Sequence, residues 1–388
     1  MSSQLKVLFI VSSSIDHGGT EILTFNIMHK LMGLGVECFL LSRYMYNGDD
    51  TCVVNMEQND FENYQSLLHN PIDKLRGHKK SDAFFKEVIR KVAIKHQVDW
   101  IVNHTYDLCA AIPTDGKWKT VQVFHWSIKG YEQNLLSKIN KKNVFLRYLS
   151  IISCRNSVHR WHKAIPAFTR LISLTSAAHF EISEAGGVTN SKKLTTIPDP
   201  LMYSHDSTRL STLDNKQIVY AGRLSEEKGV MRLLRIWEQV EKVLPDYTLN
   251  VYGDGYMKSE MESFIQKNHL SRVVFKGFEK NLEKIYPNAD LCLMTSDTEG
   301  FGMVLIEAMY YGVPCVSFDC PISPKEIIAD AGVTIPCFDE EKYANEVVSL
   351  LRDKEKLHDL QLCAVKRARD FYIDKVINLW IDMLNSKD

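Results

Sequence analysis

The sequence lacks several signatures that would assign a class directly. Its nine cysteines are scattered, with no C-x-x-C pair and no Cys/His spacing of the zinc-site kind, which predicts reduced thiols in a cytosolic setting. It has no G-x-G-x-x-G, so a dinucleotide-binding dehydrogenase is disfavoured. A net charge of −1 gives no indication of nucleic-acid binding.

Long hydrophobic runs are also missing. No window approaches the roughly 18 apolar residues of a membrane-spanning helix. The first apolar run, Val7 to Val11, is too short for a signal peptide and is typical of a first strand. We therefore expect a cytoplasmic protein, with peripheral attachment to the inner face of the plasma membrane left open.

What the chain does contain is a repeated alternation of strand-like and helix-like segments. With 45% apolar and 24% charged residues, its 388 residues suffice for two globular domains. The alternation occurs in both halves and predicts an α/β protein with two facing Rossmann-like domains and an interdomain cleft. Residues 201–216 are polar and form the best linker, whereas 42–80 are polar and irregular.

One stretch, residues 298–309, combines a glycine-containing turn with two carboxylates. It follows the apolar run Leu291 to Met294 and precedes a Gly-Val-Pro exit, so the pattern predicts strand, turn and helix. Glu299 lies in the turn, and Glu307 follows eight residues later in the helix. Unpaired amide groups at a helix N-terminus suit a diphosphate, with a carboxylate available for hydroxyl groups on either side.

This Glu-x7-Glu segment resembles the donor-site signature of the family 4 retaining glycosyltransferases, which have the two-domain GT-B fold. The loop Gly222-Arg-Leu-Ser-Glu-Glu-Lys-Gly229 matches the phosphate-binding loop of that family. The loop Asp319-Cys-Pro-Ile-Ser-Pro-Lys-Glu326 is similar to that of bacterial members that build lipopolysaccharide, capsule or exopolysaccharide. Ser323 stands where those members have glycine, which leaves the donor sugar open.

The resemblance implies a domain division and a set of roles. It places an acceptor-binding domain at 1–200, completed by a returning C-terminal helix at about 372–388, and a donor-binding domain at 201–371. It assigns the diphosphate to Arg223 and Lys228, the ribose to Glu307, and the donor sugar to Glu299 and His125. The other implied donor contacts are Gly18, Gly19, Gly253, Gly277, Phe278, Gly300, Phe301, Gly302, Met303, Val304 and Leu305.

The chemistry implied is glycosyl transfer without a metal or a bound cofactor. The sequence contains no Asp-x-Asp, the pair that usually holds a metal for such transfer, so fixed cations would stabilise the leaving diphosphate. In the first domain, His104 and His125 follow two predicted strands and should lie at the ligand-binding edge. Retention of configuration is implied by the family alone, as are His125, Glu299, Arg223 and Lys228 as catalytic residues.

The segment 133–180 contains no acidic residue and eight basic ones. It fits a solvated basic face, a surface for anionic lipid headgroups, or a pocket for an acidic acceptor. We expect transfer of a hexose or N-acetylhexosamine, from a UDP-sugar above other donors, to a growing cell-surface polysaccharide or lipid-linked saccharide. A sugar-nucleotide epimerase of the same fold and a non-catalytic nucleotide-sugar-binding partner are the alternatives.

Overall fold

The structure is a computed structural model that describes residues 4–12, 19–46, 50–137 and 144–386. It contains two compact units, one formed by Met1–Ile197 with Ile377–Asp388 and the other by Pro198–Val376. The first unit thus ends at 197 where the sequence predicted 200, and it resumes at 377 where the sequence predicted 372.

The first unit is built on a parallel six-stranded sheet with the order β2-β1-β3-β4-β5-β6. Val7 to Val11 are all buried, as expected for a parallel strand that is covered on both faces. Its strands are β1 (Lys6–Val11), β2 (Glu37–Ser42), β3 (Trp100–Asn103), β4 (Lys119–Phe124), β5 (Arg170–Ser173) and β6 (Leu194–Thr196).

Helices connect these strands. They are α1 (Gly19–Gly33), α2 (Gln58–His69), α3 (Pro71–Leu75), α4 (Lys79–His96), α5 (Ile128–Ser137), α6 (Val144–Ala164) and α7 (Ala178–Gly186), with a 3₁₀ helix at Tyr106–Ala111. The prediction that 42–80 is irregular was wrong, because α2 and α3 lie there. Asn70 separates them and caps α3, since its side chain accepts hydrogen bonds from the backbone N–H groups of Ile72 and Asp73.

The second unit has a second parallel six-stranded sheet, with the order β12-β11-β10-β7-β8-β9. Numbered within the unit, this is the 3-2-1-4-5-6 order of the doubly wound fold, and the strand order reverses between β7 and β10. Its strands are β7 (Gln217–Ala221), β8 (Thr248–Tyr252), β9 (Val273–Gly277), β10 (Leu291–Met294), β11 (Cys315–Phe318) and β12 (Gly332–Ile335).

Its helices cover the sheet, and the segment predicted as a linker belongs to the same unit. The helices are α8 (Val230–Val243), α9 (Lys258–Lys267), α10 (Met303–Tyr310), α11 (Pro324–Ile328), α12 (Glu340–Arg352) and α13 (Lys354–Ala368). Within 201–216, Leu201 and Leu213 are buried, and the Ser211 hydroxyl donates to the carbonyl of Ala289 at 2.7 Å. That segment is therefore packed rather than free.

The last helix, α14 (Ile373–Asn385), starts in the second unit and contributes to the first from Ile377 onward. Within the first unit, Trp380 stacks on His104 with ring centroids 5.8 Å apart, and the Trp100 indole donates to the carbonyl of Leu384 at 2.9 Å. Among the described residues, no helix combines the length and apolarity needed to cross a bilayer.

Candidate functional site

The predicted donor residues of the second unit gather where the strand order reverses. The loop after β7 carries Arg223 and Lys228, and the loop after β10 carries Glu299. Because β7 and β10 are parallel neighbours with crossovers that run in opposite directions, their carboxyl-end loops leave a crevice. Ligands of open α/β sheets bind in such a crevice.

The central contact in this crevice is a buried ion pair. Lys228 Nζ lies 2.7 Å from Glu299 Oε1, and the two side chains are only 21% and 8% exposed. The Ser296 hydroxyl donates to the same carboxylate oxygen at 2.6 Å. The structure therefore joins two predicted residues from loops 71 positions apart. It also adds Ser296, which the sequence analysis missed and which only its place after β10 could have indicated.

The backbone of the two loops is locked together behind this pair. The Thr295 hydroxyl donates to the carbonyls of Lys228 and Gly229 at 3.1 and 3.2 Å. Gly229 has a φ of +64°, and a Cβ there would meet the Thr295 carbonyl oxygen at 2.0 Å. Glycine is thus required, since any side chain would push the Lys228 loop away from β10.

Arg223 differs from Lys228 in its surroundings. Its side chain is 69% exposed, and its nearest acidic partner is Glu227, at 3.9 Å between Nη1 and Oε1. Such a long, exposed ion pair restrains the guanidinium weakly. The loop thus presents one closely paired cation and one exposed cation.

The segment 300–305 combines a turn with packed side chains. Gly302 has a φ of +91° and immediately precedes α10. Phe301 is buried, with its ring 5.6 Å from that of Phe371, and Leu305 is fully buried. Met303 and Val304 are half-buried. Phe301 and Leu305 therefore hold the turn in the core, so a ligand here would meet backbone N–H groups of the helix start.

Glu307 lies on α10 and is half-buried. The Tyr286 hydroxyl donates to Glu307 Oε2 at 3.0 Å, and Tyr286 is fully buried. Burial raises the pKa of Glu307, and the hydrogen bond from Tyr286 opposes that rise. This partner fixes one carboxylate oxygen and leaves the other for a ligand hydroxyl.

Three further predicted residues lie at the ends of β8 and β9. Gly253 follows β8, Gly277 is the last residue of β9, and Phe278 follows β9. Gly253 donates its N–H to the carbonyl of Gly277 at 2.8 Å, so the two strand ends meet. Gly253 has a φ of +127°, and a Cβ there would lie 1.9 Å from the Gly222 carbonyl oxygen. Phe278 is 74% exposed. An exposed aromatic ring at the end of a strand is suited to stacking on a planar base.

The first unit has its own polar edge, formed by the two histidines predicted there. His104 Nδ1 and His125 Nε2 lie 2.9 Å apart, with the rings stacked at 5.1 Å. Burial lowers the pKa of His104 well below its usual range, and the neighbouring His125 lowers it further. Both rings line a cavity of about 200 Å³, which we call the histidine cavity.

Other residues of the histidine cavity were not predicted. Glu21, in the first turn of α1, and Asp107 line it together with Thr20. Gly19 is the first residue of α1 and so adjoins this wall. Gly18 lies outside the described residues, so its predicted role stays a prediction.

One set of possible metal ligands lies elsewhere in the described part of the first unit. His29 Nε2 is 3.1 Å from Asp50 Oδ2, and Cys52 Sγ is 2.7 Å from Asp50 Oδ1. Burial, followed by the Asp50 carboxylate, raises the pKa of Cys52 to about 12. The thiol therefore stays protonated and donates to Asp50, so these residues form a hydrogen-bonded chain.

The loop 319–326 contains the departure from the family pattern. Ser323 is buried, and its hydroxyl has no hydrogen-bond partner among the described residues. Ile322 before it has a φ of +90°, a strained conformation for a β-branched residue. Strain and an unsatisfied hydroxyl thus coincide directly before α11.

Comparison with known proteins agrees with this architecture. Residues 206–367 match the profile of the family described as glycosyl transferases group 1. The amylovoran biosynthesis glycosyltransferase AmsD of Erwinia amylovora is 31% identical over 170 residues, which are 44% of this chain and 48% of AmsD. A Campylobacter jejuni N-acetyl-D-galactosaminyltransferase, named for an undecaprenol-linked saccharide, is 26% identical over 197 residues, 50% of this chain and 55% of that protein. These two matches therefore span about half the length of each relative.

The similarity in structure extends over the whole chain. The crystal structure of an S. aureus TarM mutant, in complex with fondaparinux, α-GlcNAc-glycerol and UDP, superposes with a TM-score of 0.72 at 14% identity. The match covers 99% of this chain and 100% of that one. It confirms the predicted GT-B fold. Over residues 206–367, the second unit of this chain is similar to the glycosyl transferases group 1 family.

Proposed function

We propose that the chain is a metal-independent, retaining glycosyltransferase that uses a UDP-sugar to extend a cell-surface polysaccharide or a lipid-linked saccharide. The observation that carries this proposal is the Lys228–Glu299 pair in the crevice between β7 and β10. It sets a cation for the diphosphate directly beside a carboxylate for sugar hydroxyls.

In this mechanism, Lys228 and Arg223 stabilise the negative charge that grows on the leaving diphosphate. The Lys228 ammonium has three N–H groups, and Glu299 accepts from it at 2.7 Å, so others are available to phosphate oxygens. The helix start at Met303 adds backbone N–H donors, which favour an anion. These groups act as preorganised electrostatic stabilisers.

The carboxylates would position the two sugars of the donor. Glu307, already hydrogen-bonded to Tyr286, accepts from the ribose hydroxyls, while Glu299 accepts from the transferred sugar. Phe278 and the backbone at Gly253 and Gly277 contact the base. For the transfer itself, the bond from the anomeric carbon to the diphosphate breaks, and a bond to the acceptor oxygen forms on the same face. The acceptor proton passes to the leaving phosphate oxygen.

The acceptor class is proposed from the relatives and from the charge of the first unit. AmsD is named for amylovoran biosynthesis, and the C. jejuni enzyme for an undecaprenol-linked acceptor. Within 133–180, Arg147 and Arg155 are exposed, as is Tyr148 at 63%. Lys138, Lys141 and Lys142 lie outside the described residues. We propose that this surface contacts anionic lipid, with each basic residue contributing about 1 kcal/mol.

The test is binding and turnover with UDP-, GDP- and ADP-sugars in excess EDTA. We expect saturable binding of one UDP-sugar, slow release of UDP without acceptor, and a product whose anomeric configuration by NMR matches the donor. A requirement for a divalent cation would overturn metal independence. An epimerised donor formed without acceptor would replace the transferase by an epimerase, and binding without any turnover would indicate a non-catalytic partner.

A further inference from the structure

A second cavity of the first unit, which we call the α3–α6 cavity, has no part in the chemistry described above. Its volume of about 710 Å³ lies within the roughly 300–1,000 Å³ of small-molecule pockets. Most of its lining is apolar and comes from α2, α3, α5 and α6, including Leu75, Leu149 and Trp161. Such a lining suits an aliphatic chain.

The frame of this cavity is fixed by polar contacts between α3 and α6. The Ser153 hydroxyl donates to the carbonyl of Lys74, and the Asn156 amide donates to that of Leu75 at 2.8 Å. These bonds hold the two helices together while Leu75 and Leu149 line the space. The cavity is therefore built into the fold.

One end of the α3–α6 cavity is polar and adjoins the histidine cavity. Asp107 and Tyr131 line both cavities. Arg43 lines the larger one and lies 3.1 Å from Asp107, between Nη2 and Oδ2. Arg43 Nε is buried and has no hydrogen-bond partner among the described residues. A buried donor without an acceptor is costly, and an oxygen of an anionic group would satisfy it.

The other end opens to a surface that is both apolar and basic. Ile72 is 64% exposed and lines the cavity, and Tyr148 is 63% exposed beside Leu149. Lys74, Arg76 and Arg147 are exposed next to them. Exposed apolar side chains among cations complement an anionic lipid surface.

We propose that the α3–α6 cavity binds the aliphatic chain of a phosphate-bearing lipid. The chain lies against Leu75 and Leu149, the phosphate accepts from Arg43, and the remaining headgroup extends past Asp107 and Tyr131 into the histidine cavity. This inference rests on the proposed function, in which the lipid carries the acceptor saccharide. It adds a site for the hydrophobic part of that acceptor.

The test is calorimetric titration of the full chain with farnesyl phosphate below its micelle concentration, without any nucleotide sugar. Leu75→Trp and Leu149→Trp fill the cavity, and Leu362→Trp, on a side chain of α13 that is 58% exposed, is the matched control. We expect saturable binding that weakens about tenfold or more in both filling variants and is unchanged in the control.

Further titrations test the phosphate and the hydrocarbon chain of the ligand separately. Arg43→Gln should weaken farnesyl phosphate but leave farnesol unaffected, which checks that the variant still folds. Titration with lauroyl lysophosphatidylglycerol compares an acyl chain with the isoprenoid chain of farnesyl phosphate. The lipid that binds more tightly identifies the type of chain that the cavity takes. Absence of binding to wild type, equal binding by the filling variants, or equal binding of inorganic phosphate would each overturn the proposal. Because no donor is present, these outcomes are independent of UDP-sugar binding by the second unit.

Discussion

Both sheets of this chain place polar side chains in the loops that follow neighbouring parallel strands. The two groups of side chains differ in electrostatic character. In the second unit, loops from β7 and β10 bring a lysine and a glutamate to 2.7 Å. In the first unit, loops from β3 and β4 bring two histidines to 2.9 Å, and burial lowers the pKa of His104. One edge is a charged pair, whereas the other contains an imidazole that stays neutral.

The difference follows from what surrounds each pair. Lys228 and Glu299 form an ion pair at 2.7 Å, and the Ser296 hydroxyl donates to the same carboxylate oxygen. His104 packs against Phe9 and Trp380, which offer no counter-charge. The first arrangement suits the diphosphate of the proposed donor, and the second suits an uncharged ligand.

The largest effect is expected from removing the Lys228 cation from the crevice between β7 and β10. Lys228→Ala should lower kcat by about 100- to 1,000-fold, because one preorganised charge stabiliser is lost and Glu299 is left without its cation. The measurement is UDP release with the cognate donor. Lys242→Ala, which removes an exposed partner of Glu238 on α8, is the control and should retain full turnover. Comparable rates in both variants would contradict the role of Lys228.

A smaller effect is expected at Glu307. Glu307→Gln should weaken UDP binding about tenfold, because a charged acceptor for the ribose hydroxyls becomes a neutral one. The melting temperature should not fall, since burial raises the pKa of Glu307 and the charge is costly in the folded state. Titration calorimetry and thermal melts check both, with exposed Glu283→Gln as control. An unchanged affinity for UDP would show that Glu307 does not take part in nucleotide binding.

In the first unit, Asp82 should make stability depend on pH. Burial raises its pKa to about 7, and Arg160, at 2.8 Å, opposes the rise. The folded state therefore binds a proton more tightly than the unfolded state, and this stabilisation is lost as pH rises through about 7. Wild-type melting temperature should decline more steeply between pH 5 and 8 than that of Asp82→Asn. Parallel curves would disprove the assignment.

The smallest effect is expected at His104, with the opposite sign. Its folded-state pKa is depressed, so the unfolded chain takes up a proton first and stability is lost as pH falls through the unfolded value. His104→Phe keeps the stack on Trp380 and removes this loss. From pH 7 to 5, the wild type should lose a few degrees of melting temperature that the variant retains. If the melting temperature of the variant falls by as many degrees, a depressed pKa of His104 is not the cause of the loss.

Much of the second unit could be predicted because its information is local. Apolar runs followed by glycine loops marked the strand ends. The Glu-x7-Glu segment, by its resemblance to the family, predicted two carboxylates whose roles stay predictions. The contact of Lys228 with Glu299 could not be read in this way, since it depends on β7 lying beside β10 rather than beside a strand near in sequence. Ser296 and Tyr286 were missed because isolated hydroxyl residues carry no pattern.

The first unit was harder to predict because its sites are assembled from distant segments. Arg43, Asp107 and Trp161 line one cavity, but they come from three segments far apart in sequence, and no local pattern brings these segments together. The helices α2 and α3 were missed because their exposed polar residues obscure the apolar period. His104 and His125 were located at strand ends, yet their stacking required the β3–β4 pairing.

The helix α14 has a consequence for the order of events during synthesis. Trp100 and His104 acquire their partners Leu384 and Trp380 only after all of 198–376 has been made. At about 5–20 residues per second, a ribosome spends tens of seconds between the two segments. During that interval the nascent first unit lacks the C-terminal partners of this indole and this imidazole. The unit that is translated first is therefore the one that completes its folding last.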